Sequence, residues 1–320
     1  MRASKRKTSN KNILANRYII LSEIDSGLTS HVYKVLDKKT GKTRVAKIYE
    51  NNYEKLFNKE VQIFQLFEQQ DNPNIIRCYE FGFDQTKRKP YIIQEYGSKG
   101  CLMDSILKLK CAFTEDVCKF ILLNLINAVD ALHQKGICHR DLKTENIVLV
   151  GDNYDIKLID LGFAAKFLDE ENKMKKLKKP VGTSYYCAPE ILEGKSYDGT
   201  KADIFSIGAI LFVLMTKNFG FVEAKVNNIS SNVRNSLYKL IKTKQHDKYW
   251  ELLEKYFKIK DLSPSFKSLY LRMVAYNPEE RPTIEQIKQD EFIAEIINDN
   301  QEKINFLREK MINEIEYAQL

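Results

Sequence analysis

The sequence predicts an α+β protein in two parts, a small and mainly antiparallel sheet with one helix followed by a larger, mainly helical body. Three observations carry this expectation. Residues 17 to 97 contain short segments rich in β-branched and aromatic residues, separated by turn signals. After Gly100 the hydrophobic period changes from strand-like to helical. The chain has 320 residues, 43% hydrophobic and 29% charged, which is enough to give each part a core of its own.

Residues 1 to 16 read as a basic disordered arm: Arg2, Lys5, Arg6, Lys7 and Lys11 occur there with no acid. The segments "RYIILSEI", "HVYKVLDKK" and "KTRVAKIY" then read as strands, with Thr40-Gly41 as the turn between the last two. Phe57, Val61, Phe64 and Phe67 recur at helical spacing and define one face of a helix. "NIIRCYEFGF" and "PYIIQEY" supply two more strands, and a short connection near Glu95 to Gly100 closes the first part at residue 97. Thr114 is placed to cap a helix whose first turn holds Glu115 and Asp116. Val117, Phe120, Ile121, Leu125, Ala128, Val129 and Leu132 line one side of it and Gly136 ends it. Helical patterns continue at 201–216, 232–242 and 262–275, so the second part spans 98–293. Residues 294–320 read as a C-terminal amphipathic helix carrying Ile297, Ile304, Phe306, Leu307, Met311 and Ile315. Two destinations are open for its apolar face: its own body, or a regulatory partner or second copy.

The net charge of +8 is concentrated locally, in residues 1–22 and in Lys173, Lys175, Lys176, Lys178 and Lys179. Such runs are ordinarily solvated, so no specific nucleic-acid partner is expected. The six cysteines form no C-x-x-C pair and no metal spacing, which suits reduced thiols. No apolar leader opens the sequence, and the longest apolar stretch, Phe205 to Met215, is short of the ~20 residues of a membrane span. The expectation is a protein with no membrane partner in a cytoplasmic or nuclear setting.

The stretch "CHRDLKTENIVLV" (138–150) packs His139, Arg140, Asp141, Lys143 and Asn146 directly before an apolar strand. It is either a solvated turn or a functional loop held up by that strand. A second strand, "IKLID", leads into "DLG" (160–162), where Gly162 permits an unusual backbone angle. The hairpin brings oxygen-bearing side chains from Asp141, Asn146 and Asp160 to one mouth. Hard oxygen donors of this kind suit magnesium, which takes one or two carboxylates together with phosphate oxygens and water.

With these residues in view the chain resembles the eukaryotic protein kinase family over about residues 18–293. "HRDLKTEN" is similar to its catalytic loop, "DLG" to its metal-binding triplet with Leu161 in place of the usual Phe, and "APE" (188–190) to the end of its activation segment. The resemblance implies a bilobal protein kinase fold and an ATP- and Mg²⁺-dependent transferase acting on serine and threonine hydroxyls of proteins. It implies Asp141 as the base, Lys143 as the neutraliser of the transferring phosphoryl group, and Asn146 and Asp160 as magnesium ligands. Lys47 in "VAK" would contact the α- and β-phosphates and pair with Glu60. Ile24, Gly27, Val32, Val45 and Val148 would enclose the nucleotide. Gln94 would be the gatekeeper and Glu95-Tyr96-Gly97 the hinge that bonds adenine. Thr183 in "GTSYYCAPE" would bond Asp141 and Lys143, in the manner of serine/threonine kinases. His139, Arg140, Asp203, Glu190 and Arg281 would be scaffold, with Asp203 bracing the catalytic loop and Glu190 paired to Arg281.

"NKMKKLKKPVGTSYYCAPEIL" is most similar to the calmodulin-dependent and calcium-dependent kinase group, although no D-x-[DN]-x-[DN]-G loop of an EF-hand occurs in this sequence. Glu145 stands where basophilic kinases meet an arginine before the target. Two departures matter. "DSGLTSHV" (25–32) keeps only Gly27 and Val32 of the phosphate-loop pattern, with Asp25 and Ser30 replacing the outer glycines. This favours, as the alternative, a pseudokinase scaffold that binds partners without catalysis. The position of the usual activating phosphate is Lys179, and Leu161 to Val181 contains no Ser, Thr or Tyr. A lysine beside Arg140 should repel, so order must come from elsewhere, with Asp169, Glu170 and Glu171 the nearest acids.

Overall fold

Alternation of apolar and polar positions in the first hundred residues builds one sheet. The computed structural model describes residues 12–67, 72–169, 171–220, 231–259, 261–297 and 301–318. The chain divides into two compact units, Met1–Asp71 with Ile76–Gly97, and Asn72–Ile75 with Ser98–Leu320.

The smaller unit contains strands β1 (Ile13–Leu14), β2 (Tyr18–Ser26), β3 (Ser30–Asp37) and β4 (Thr43–Tyr49), helix α1 (Glu54–Gln65), and strands β5 (Cys78–Asp84) and β6 (Lys89–Gln94). The six strands form an antiparallel sheet in the order β1-β2-β3-β4-β6-β5. The two-residue period of a strand decides what each face does. Ala46 and Ile48 of β4 join Leu14, Tyr18, Val35, Tyr91 and Ile93 in a buried cluster. Val45, Lys47 and Tyr49 therefore point to the opposite face. Register places Lys47 opposite Val32 on one neighbour and Ile92 on the other, and Val45 opposite Gln94. In β2 the pairing slips twice, between Ile20 and Ser22 and between Glu23 and Asp25, just ahead of Gly27.

The end of the basic arm departs from expectation. Ile13 and Leu14 pair with Ile19 and Tyr18, and Leu14 is fully buried. The Ala15 amide donates to Asp84. Arg17, partly exposed, makes two bonds to Asp37 at 2.7 and 2.8 Å and one to Glu80 at 2.7 Å. This segment is held because Leu14 is buried and Arg17 is anchored to Asp37 and Glu80. Hydrogen bonding to Arg17 holds the Asp37 carboxyl well below the ordinary carboxylate range, so the tie is complete at neutral pH and is lost only as pH falls into strong acid. Residues 1–11 of the expected arm lie outside the described residues.

The larger unit runs α2 (Leu102–Lys108), α3 (Glu115–Gln134), β7 (Ile137–Cys138), β8 (Ile147–Val150), β9 (Asp155–Leu158), β10 (Ala165–Lys166), α4 (Pro189–Leu192), α5 (Gly199–Thr216), α6 (Ser231–Lys242), α7 (His246–Phe257), α8 (Pro264–Met273), α9 (Ile284–Lys288), α10 (Ala294–Ile297) and α11 (Gln301–Tyr317). β8 and β9 form a hairpin, and β7 pairs with β10. Residues 72–75, expected in the first part, belong here because Asn74 bonds Asn124 at 2.8 Å and the Ile156 carbonyl at 3.1 Å, while the Leu158 amide donates to Asn74. Helix α5 is apolar all round and, at 18 residues, is long and apolar enough to cross a membrane by length and composition, which the count from Phe205 to Met215 understated. Its all-round apolarity has a local cause: Phe205, Ile207, Ile210, Leu211 and Phe212 are buried in the core of this unit.

The C-terminal segment packs on its own unit. Leu307, Met311 and Ile315 of α11 are buried, and α11 lies along α3. The Thr114 hydroxyl does not cap α3. It donates to Glu314 at 2.5 Å, and the Thr114 amide donates to the same carboxylate at 3.1 Å. Lys310 pairs with Asp116 at 2.7 Å, Arg308 bonds Asp155, and Tyr154 donates to Glu316 at 3.0 Å. Phe306 is left 61% exposed because it faces away from α3.

The buried stripe makes α11 part of the core. Met311→Ala is expected to lower stability by about 2–5 kcal/mol, the cost of a cavity at a fully buried methionine. Urea unfolding measures it, and a loss under about 0.5 kcal/mol would show that α11 does not hold this position in solution.

Candidate active site

The loop from Ile137 to Asn146 is fixed from behind by one carboxylate. Asp203, fully buried on α5, accepts from the backbone amides of His139 at 2.8 Å and Arg140 at 2.9 Å, and from His133 Nε2 at 2.8 Å. These bonds hold Arg140 at φ +71°, a left-handed conformation that an arginine adopts only under such constraint. His139 is fully buried and accepts the Asp141 amide on Nδ1 at 3.2 Å, while Nε2 lies 3.2 Å from the Ile159 carbonyl. A proton on Nε2 satisfies both bonds.

The carboxylate of Asp141, 5% exposed, is the centre of the next layer. Oδ1 accepts from the Thr183 amide at 2.9 Å and the Thr183 hydroxyl at 2.8 Å. Lys143 Nζ lies 3.2 Å from Oδ2 and donates to the Thr183 hydroxyl at 3.1 Å. Asn146 Nδ2 donates to the Asp141 carbonyl at 2.9 Å and to Oδ2 at 3.3 Å, so the amide oxygen remains as its ligating atom. Gly182 makes the approach of Thr183 feasible. At its φ of +107° a Cβ would stand 2.6 Å from the Arg140 carbonyl oxygen, so no other residue fits.

Asp160 follows β9 and bonds the Gly162 amide at 3.3 Å. The left-handed residue of the triplet is Asp160 itself, at φ +59°, and Gly162 has no positive φ. Val148 in β8 is 9% exposed. The Arg281 guanidinium, fully buried, forms two bonds of 2.7 Å with Glu190.

In the smaller unit Lys47 Nζ bonds both oxygens of Glu60, at 2.8 and 3.2 Å, and Glu60 is fully buried on α1. The spacing of 13 residues is enough because β4 and α1 are joined by a short turn. Tyr49 donates to the same carboxylate, a partner that the sequence pattern did not reveal. Val32 and Val45 are half-buried, Ile24 is half-exposed and Gly27 is exposed. Gln94 is buried, and its Nε2 has no hydrogen-bond partner among the described residues. The Glu95 amide donates to the Arg77 carbonyl at 2.9 Å, so that amide is not a group the expected hinge can offer. Asp25 turns its carboxylate onto the Ser26 amide at 2.8 Å, and Ser30 begins β3 opposite Tyr49.

Around Arg140 the structure corrects the sequence reading. Asp169 caps its own turn, accepting from Glu171 and Lys173 amides at 2.9 Å each, and Glu171 pairs with Lys173. Glu170 lies outside the described residues. Arg140 instead donates from Nε to the Phe163 carbonyl at 2.8 Å and from a terminal nitrogen to the Tyr197 hydroxyl at 3.1 Å. The Lys179 side chain is exposed, and only its carbonyl faces this assembly. Tyr197 stands in a polar stretch, "EGKSYDGTK", and belongs to none of the motifs quoted above. Glu145 is exposed and accepts from Thr144 at 3.0 Å and Tyr186 at 3.4 Å. Cys118, Cys138 and Cys187 are buried, and burial, with the charges of Asp141 and Glu190, pushes the Cys187 thiol up to about 11. Among the described residues no cluster of His, Cys, Asp or Glu forms a ready metal cage.

A family model described as protein kinase domain matches residues 18–293. The chain is 35% identical over 229 residues to serine/threonine-protein kinase kin-29 of Caenorhabditis briggsae, covering 72% of this chain and 25% of that protein. It is 34% identical over 289 residues to calcium-dependent protein kinase 5 of Plasmodium berghei, covering 88% and 47%. It is 33% identical over 245 residues to CBL-interacting serine/threonine-protein kinase 10 of Arabidopsis thaliana, covering 77% and 46%. The chain thus spans half the length or less of these relatives.

The Glu190–Arg281 pair is scaffold. Arg281→Met is expected to cost about 3–5 kcal/mol by stranding a buried carboxylate. Thermal unfolding checks it, and an unchanged midpoint would remove the pair from the list of supports.

Proposed function

We propose, because this chain belongs to the protein kinase family and is of the serine/threonine type, that it transfers the γ-phosphoryl group of Mg·ATP to serine and threonine hydroxyls of proteins. The observation that carries the reading is the Asp141 carboxylate, buried and held between the Lys143 ammonium and the Thr183 hydroxyl. A buried carboxylate of fixed orientation can accept the proton of an alcohol as it attacks phosphorus. Lys143, bonded to the same assembly, places a positive charge where the transferring group develops negative charge.

The donor set fits magnesium. Asp160 offers a carboxylate and Asn146 an amide oxygen whose nitrogen is already bonded to backbone, which matches a hard cation that takes few protein ligands and completes its shell with phosphate and water. When bound, the ion would neutralise and orient the phosphate oxygens. Lys47, oriented by Glu60 and by Tyr49 through Glu60, would hold the α- and β-phosphates. The buried Gln94 amide nitrogen, with no partner among the described residues, and the backbone of Glu95 and Gly97 would supply polar contacts for a purine. In the kinase reading Ile24, Gly27, Val32 and Val45 of the smaller unit would supply its apolar and backbone surroundings, and Val148 is the residue of the larger unit that the family resemblance assigns to the nucleotide. Substrates are proteins with exposed Ser or Thr, and a cytoplasmic or nuclear setting suits cysteines that form no disulfide among the described residues.

A scaffold without catalysis is the second reading, favoured by Asp25 and Ser30 in the phosphate loop. The deciding experiment supplies γ-labelled ATP, magnesium and a generic protein substrate to the purified chain. Label on serine or threonine supports the kinase, and its absence with ATP still bound supports the scaffold.

Asp141→Ala is expected to lower turnover by at least ~10²-fold while ATP still binds, measured by label transfer and by nucleotide titration. A variant with near wild-type turnover would sink the assignment. Asp25→Gly removes a carboxylate next to the expected phosphates and should lower KM for ATP several-fold. An unchanged or higher KM would mean that the Asp25–Ser26 bond helps the loop to close.

A further inference from the structure

The activation segment, from Asp160 to Glu190, is a chain of some thirty residues, lysine-rich and with no modifiable hydroxyl between Leu161 and Val181. It is nonetheless held in place. The Leu177 amide donates to the Tyr197 carbonyl and the Tyr197 amide to the Leu177 carbonyl, both at 2.8 Å. The Lys175 amide donates to the Phe167 carbonyl at 2.8 Å. The Tyr197 hydroxyl accepts from Arg140 at 3.1 Å and donates to the Lys179 carbonyl at 3.0 Å. Tyr197 is 2% exposed. The phenol thus receives a bond from the catalytic loop on one side and gives one to the segment on the other.

We propose that Tyr197 is the positioning residue that locks the activation segment to the catalytic loop through Arg140 and the Lys179 carbonyl, so that the segment is ordered without any covalent modification. The proposal rests on the kinase reading for its effect on turnover, but the lock itself is a property of the fold. The chemistry suits the site. A guanidinium needs an acceptor and a carbonyl needs a donor, and one hydroxyl serves both. A phosphate would satisfy only the guanidinium, and would repel the carbonyl oxygen. Burial raises the phenol pKa above its ordinary value, so the proton that Lys179 accepts stays in place. Three residues after Lys179, Gly182 lies on the Arg140 carbonyl and Thr183 bonds Asp141, so a displacement at Lys179 is transmitted to the carboxylate that acts on substrate.

Tyr197→Phe keeps the ring and removes only the hydroxyl. In the full chain the expected result is about a tenfold fall in kcat with KM for ATP nearly unchanged, because a hydrogen bond to a charged group is lost away from the nucleotide contacts. Trypsin should cut after Lys173, Lys175, Lys176 and Lys178 about tenfold faster, with the unfolding midpoint shifted by only a few degrees. Wild-type protein treated with a broad phosphatase should keep its initial rate. Wild-type kcat and wild-type cleavage in Tyr197→Phe would overturn the proposal, as would loss of most activity on phosphatase treatment. If the wild-type chain transfers no phosphate at all, the kinase reading fails, and the cleavage comparison alone still decides the lock. If Tyr197→Phe does not fold, amide exchange in the wild type decides: a Leu177 amide protected like those of α5 supports the lock, and fast exchange overturns it.

Discussion

Asp203 is the constraint on which the rest of the site depends. A carboxylate with no exposure, placed in the second turn of α5, has no water to satisfy it and must find donors within the protein. It takes them from two consecutive backbone amides of the catalytic loop and from His133 of α3. One buried charge therefore ties two long helices to a loop that has no regular structure of its own. The left-handed backbone of Arg140 is the visible cost of that tie. Its direction matters too. Turning Arg140 aims its carbonyl at Gly182 and its guanidinium at Tyr197, so the same bend that seats Asp141 also prepares the contacts of the activation segment.

The architecture was legible in the sequence to the extent that periodicity and short-range patterns dictate it. Strand segments of β2, β3, β4, β5 and β6 and the long helices α3, α5 and α8 lie where alternation and 3.6-residue spacing put them. The grouping of Asp141, Lys143 and Thr183, the pairing of Lys47 with Glu60 and that of Glu190 with Arg281 were readable because ordered motifs carried them. What was not legible has physical reasons. Residues 12–16 looked like a tail because the basic composition of the residues before them averages over Leu14, whose burial depends on the sheet core, and nothing in the arm shows that the neighbouring Arg17 will pair with Asp37 and Glu80. The positive φ fell on Asp160 instead of Gly162, since a side chain that bonds a nearby amide can stabilise what glycine merely permits. Asp169 and Glu171 were the acids expected to serve Arg140, yet they are consumed by their own turn, where the loop to be closed is shorter and less costly.

Partners supplied by a hydroxyl were the least visible. Tyr49, Tyr186 and Tyr197 each attach to a motif residue from a distance of many positions in the chain, and Tyr49 and Tyr197 belong to no quoted motif. Tyrosine combines a large apolar ring, which fits an apolar stretch of sequence, with one polar atom whose partner only the folded chain determines. A sequence reader sees the ring and misses the atom.

Glu314 has a consequence for how the molecule comes into being. The amide and hydroxyl of Thr114, at the start of α3, are satisfied by a carboxylate 200 residues later. As the chain leaves the ribosome, α3 is made early, with its leading end and the groove for Leu307, Met311 and Ile315 open to water. Both stay open until almost all of the larger unit has been synthesised. The last helix is thus a closing step in assembly, and an interruption of translation shortly before it leaves an otherwise complete body with a wet apolar groove, the kind of surface that chaperones bind and proteases recognise.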